Sequence, residues 1–75
     1  MKDGMERINQ LLDEYDFPLN AIQMVRERLG DWFISGGKPT DGYVWQQARY
    51  LENLIRYGLA ERKAVIEWAS WAITY

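Results

Sequence analysis

Tyr43-Val44-Trp45-Gln46-Gln47-Ala48-Arg49-Tyr50-Leu51-Glu52-Asn53-Leu54-Ile55-Arg56-Tyr57 is the stretch that decides the fold. Tyr43, Val44, Gln47, Tyr50, Leu51, Leu54 and Ile55 recur every three or four residues, the spacing that gathers side chains on one side of an α-helix. Gly58 is a natural stop, because glycine reaches the left-handed conformation that closes a helix without steric cost. On the other side, Ser35-Gly36-Gly37-Lys38-Pro39-Thr40-Asp41-Gly42 reads as a loop. Its glycines can cap a preceding helix, Pro39 blocks resumption, and Thr40 or Asp41 can cap the next one. A helix is therefore expected over about Tyr43–Tyr57.

The same spacing appears upstream. Met5, Ile8, Leu11, Leu12 and Tyr15 define a first helix, which Asp16-Phe17-Pro18 breaks because proline forces the residue before it toward extended backbone. Pro18 suits the first turn of a second helix that carries Ala21, Ile22, Val25, Leu29, Trp32 and Phe33 on one face out to about Ile34. Gly30 is a weak point inside it, costing about 1 kcal/mol. A fourth helix is expected from about Leu59 to the end. No stretch alternates with a period of two, so no strands are expected, and no internal repeat appears. The expected fold is all-α, a compact bundle of three to four short helices forming a single domain over residues 1–75.

A chain of 75 residues buries only about 60% of its unfolded surface, so its core is thin. Small domains add disulfides, a metal or a partner subunit; with no cysteine and no histidine, the partner is the expectation here. Nine basic and eleven acidic residues give a net charge of −2, which argues against non-specific nucleic-acid binding. Residues 1–17 set five carboxylates against Lys2 and Arg7, a local charge of −3. The start lacks the apolar stretch of a signal peptide, and no window reaches the roughly 18 apolar residues of a membrane span. A cytoplasmic protein without membrane contact is expected.

Catalytic chemistry finds little support. Histidine and cysteine are absent, Ser35 and Ser70 have no evident base, Asp13, Glu14 and Asp16 read as a solvated helix end, and Glu52 and Glu67 are isolated. No enzyme, cofactor or metal is expected. Ser35-Gly36-Gly37-Lys38 lacks the spacing and the preceding strand of a phosphate-binding loop.

Projected at 100° per residue, Gln46, Arg49, Asn53 and Arg56 form a polar stripe opposite the inward side of the third helix. Such side chains read base edges in the major groove, so a DNA-binding regulator is one reading. Glu52 beside the stripe and the acidic balance favour an ordinary solvated face or a protein contact. Trp45 lies on the same side, where Arg49 four residues on could stack over its indole, unless the fourth helix covers it. Trp45, Arg49, Asn53 and Arg56 are the expected partner-binding residues, since Trp and Arg dominate interface hot spots.

The expected fourth helix is apolar around too much of its circumference for one core. Trp68, Trp71 and Tyr75 are the expected self-association residues, giving a homodimer; a central helix packed on two sides is the competing reading, and a membrane surface a third.

Tyr15-Asp16-Phe17-Pro18-Leu19, then Asp31-Trp32-Phe33-Ile34-Ser35-Gly36-Gly37-Lys38, then Tyr43 to Leu54 together resemble a family of small uncharacterised phage and prophage proteins of Gram-positive bacteria. The resemblance spans Tyr15 to Ile55 and stops before the tail after Leu59. It brings no activity and no binding residue. It implies a protein that occupies a surface of a host protein, including a host defence component, or that regulates phage genes.

Overall fold

A computed structural model describes residues 3–63 of the protein, and its first helix, α1, spans Gly4–Glu14. Asp3 caps it: the Glu6 backbone N–H donates to the Asp3 carboxylate at 2.8 Å, satisfying one of the donors that a helix start leaves free. The chain then extends through a two-residue strand, β1 (Tyr15–Asp16), and Pro18 opens α2 (Leu19–Ile34). Helix α3 covers Gly42–Arg56. These bounds match the sequence expectations to within one residue at each end.

Both helix stops work through glycine. At the end of α2, Gly36 takes φ +95° and donates to the Phe33 carbonyl, while Gly37 donates to the Trp32 carbonyl at 2.8 Å. At the end of α3, Gly58 takes φ +75° and donates to Ile55, and Leu59 donates to Leu54 at 2.8 Å. Each pair of bonds satisfies carbonyls that the helix would otherwise leave open.

The buried core is drawn from all three helices: Ile8 and Leu11 of α1, Val25 and Leu29 of α2, and Val44, Ala48 and Leu51 of α3, closed by Phe17 and Ala60. α1 lies along α3. A Cβ at Gly4 would come 2.7 Å from Val44 Cγ1 and 3.1 Å from the Trp45 nitrogen, so the missing side chain lets the two helix starts touch. With their starts together, α1 and α3 run side by side in the same direction.

The segment after α3 corrects two expectations. Leu59 does not begin a fourth helix, and the fold is not strictly all-α. Glu61–Arg62 forms β2, pairing antiparallel with β1 in the register Tyr15↔Arg62 and Asp16↔Glu61. The physical reason lies in the break before Pro18: extended backbone at residues 15 and 16 offers unpaired polar groups, which the returning chain satisfies. The Lys63 N–H also donates to the Glu14 carbonyl at 2.8 Å. The remainder of the expected fourth helix lies outside the described residues.

Candidate contact surface on α3

α3 sits between α1 and α2, and its sequence separates an inner from an outer face. Val44, Gln47, Ala48 and Leu51 are buried, while Gln46, Arg49, Asn53 and Arg56 are exposed along the full length of the helix. The stripe read from the sequence is thus a continuous solvent-facing surface. Gln47 is the polar exception inside. At 4% exposure, it accepts from Arg28 Nη1 and donates to the Tyr43 carbonyl, each at 3.4 Å.

Trp45 is half-buried and packed against the core. The expected stack of Arg49 over its indole is not formed. Among the described residues the cation–π contact is Arg62 over the Tyr15 ring, 6.0 Å from its centre. Trp45 packs against the core, whereas Arg49 stays in solvent.

The charge environment of the stripe was missed by sequence reasoning. Glu52 is not isolated: its Oε2 accepts from Arg7 Nη2 at 2.7 Å and from Arg7 Nε at 3.1 Å, with Arg7 Nη1 also donating to Gln10. The carboxylate beside the stripe is therefore held by α1. Among the described residues Arg49 and Arg56 have no ion-pair partner, so the outer face of α3 is basic although the chain is acidic. Two residues separated by 45 positions give no local signal for such a pair. Two exposed apolar side chains at the end of this helix, Tyr57 at 73% and Leu59 at 58%, were also not singled out.

Of the carboxylates at the end of α1, Asp13 and Asp16 are exposed, and Glu14 faces Arg62 at 3.9 Å. No group of three or more metal-binding side chains occurs among the described residues, and no helix there is long and apolar enough to cross a membrane. Trp68, Trp71 and Tyr75 lie outside the described residues.

The geometry defines a three-helix domain closed by a two-stranded clasp, with one basic face turned to solvent. The chain belongs to the family of unknown function DUF6877, whose sequence profile matches residues 5–56. That match ends with the last residue of α3, so the clasp strand β2 lies beyond it. No curated protein and no solved structure matches the chain.

Proposed function

We propose that the protein is a small non-enzymatic contact protein that binds a protein partner through the outer face of α3. Arg49, Asn53 and Arg56 supply the polar contacts and Trp45 the apolar edge. The observation that carries this reading is the charge arrangement: two arginines with no ion-pair partner among the described residues stand exposed on one helix, while Arg7 takes up the neighbouring carboxylate. Arginine on a pre-ordered helix loses little freedom on binding and forms forked hydrogen bonds to carboxylates or carbonyls. The likeness of Tyr15 to Ile55 to small phage and prophage proteins makes a host protein in the cytoplasm the proposed partner, with inhibition of a defence component as one form of that role.

The test is capture from host lysate by the tagged full chain. Arg49→Ala with Arg56→Ala, both exposed, is expected to lose the captured partner while circular dichroism stays unchanged. Capture that survives this pair rejects the α3 face. A DNA-binding regulator is the second reading, favoured by the exposure of Gln46, Arg49, Asn53 and Arg56 on one helix face. The exposed carboxylates Glu6, Asp13 and Asp16 and the charge of −2 weigh against it, because they repel a polyanion. A gel assay at low salt with no shift removes that reading.

A further inference from the structure

We infer that the edge of β1 is a docking site for an extended peptide segment of a partner, and that residues 60–63 are a releasable strap of this chain that occupies the site at rest. The inference goes beyond the reading of α3 and does not depend on it. β1 lies within the residues 5–56 that the family profile matches, and the strap lies after them. The strap is held by few contacts, and most of them face water. It pairs two residues against two, with Glu61 and Arg62 both exposed, and a two-stranded pairing is marginal in water. Beyond the last pair, the Lys63 N–H donates to the Glu14 carbonyl. Arg62 stands 3.9 Å from the Glu14 carboxylate and 6.0 Å from the centre of the Tyr15 ring, the outer limit of both kinds of contact. With 65% of its side chain exposed, water screens that attraction. The one apolar anchor within the strap is the buried methyl group of Ala60.

The helix before the strap is closed without it. Gly58 donates to the Ile55 carbonyl and Leu59 to the Leu54 carbonyl, so the strap can leave after Leu59 while the stop of α3 stays formed. Little apolar burial and solvent-facing backbone bonds are what place a segment at the low end of local stability. Its departure uncovers the Glu14 carbonyl and the backbone groups of β1, an edge that another strand can satisfy by main-chain hydrogen bonds. The strap also shows the chemistry that fits. The incoming segment runs antiparallel to β1, places a small side chain where Ala60 is buried, and carries a cation two positions on, where Arg62 meets Glu14 and Tyr15. It competes with a strap whose effective concentration is on the order of millimolar.

The experiment has two readouts on the full chain, both by nuclear magnetic resonance. In native-state hydrogen exchange, the Lys63 amide is expected to be at least about tenfold less protected than that of Leu51, with little dependence on urea, because it exchanges by local opening. The second readout is titration with a blocked synthetic peptide of residues 58–63. Ala60→Asp, which sets a carboxylate in the buried position, releases the strap, and the Glu14, Tyr15 and Asp16 amides then shift with about tenfold less peptide than in the native chain. Arg62→Glu leaves every buried residue in place and moves the titration in the same direction, so the test does not depend on the folding of Ala60→Asp. A peptide that itself carries Ala60→Asp shifts nothing. Lys63 protection equal to that of Leu51, with the same urea dependence, overturns the inference, since the strap is then part of the core. A Lys63 amide with no protection also overturns it, because nothing then occupies β1 at rest. Absence of shifts at Glu14–Asp16 in both variants, or equal shifts with the altered peptide, removes the docking site.

Discussion

Along its α1 flank, α3 meets aliphatic side chains; along its α2 flank the aliphatic Val25 and Leu29 are joined by aromatic rings and long polar side chains. Ile8, Leu11, Val44 and Leu51 are the largest fully buried side chains of the described residues, and all four belong to α1 or α3. The α2 flank is held by Trp32 tilted against Tyr43, with ring centres 4.7 Å apart, and by the long bonds through Gln47. It also carries a cost. Among the described residues Trp32 Nε1 is buried with no hydrogen-bond partner, and Gly37 packs against the indole so closely that no side chain would fit there. A buried donor left unpaired costs about 1–3 kcal/mol. The comparison teaches that the stability of this thin core is concentrated in one helix pair, further tied by the clasp between β1 and β2. α2 is attached to that pair and contributes less.

Truncation of one residue on each flank would break or support that view. Leu11→Ala, 1% exposed in the α1 seam, is expected to lower unfolding free energy by about 2–5 kcal/mol. Ile22→Ala, half-buried on α2, should cost about 1 kcal/mol, since only part of its apolar surface leaves water on folding. Urea denaturation of the two variants decides the point, and equal losses would remove the asymmetry. The helix glycines give a finer comparison with opposite signs. Gly4→Ala should destabilise by about 1–3 kcal/mol, because the new methyl collides with Val44 and approaches the Trp45 backbone. Gly30→Ala, whose Cβ meets nothing within 4 Å, should stabilise by about 0.5–1 kcal/mol by reducing the freedom of the unfolded chain. A loss at Gly30 or a gain at Gly4 would mean that the seams have been assigned to the wrong faces.

The three helices were legible because each carries its own apolar period and its own stop: Pro18, Gly36 and Gly58 act on the chain within a turn of where they stand. The polar stripe on α3 was legible for the same reason, as a property of one helix. What escaped the reading is non-local. Tyr15–Asp16 and Glu61–Arg62 are too short to show a strand period, and their pairing joins residues on opposite sides of two helices. The Arg7–Glu52 pair needs knowledge of which helix borders which face of α3. Projection of a single helix cannot supply it. Trp45 illustrates the limit: its angle placed it on the polar side, but it is half-buried and packed against the core.

The smallest effect concerns that ion pair, and it separates stability from binding. Arg7 and Glu52 keep 32% and 40% of their side chains exposed, so water screens the attraction, and a double-mutant cycle should return a coupling of only about 0.2–1 kcal/mol. Its consequence for α3 is more specific. Glu52 stands three residues after Arg49 and four before Arg56, both within reach along one helix. With Arg7→Ala the freed carboxylate can turn to either arginine and neutralise the exposed stripe, at about 0.2–0.5 kcal/mol per pair. Partner binding through α3 should therefore weaken about twofold in Arg7→Ala. It should recover in Arg7→Ala with Glu52→Ala, although that double variant is the less stable relative to the native chain. Titration calorimetry against the captured partner, run beside thermal unfolding, reads both quantities. If binding instead tracks stability through all the variants, Arg7 is only a strut between α1 and α3 and has no part in keeping the arginines free.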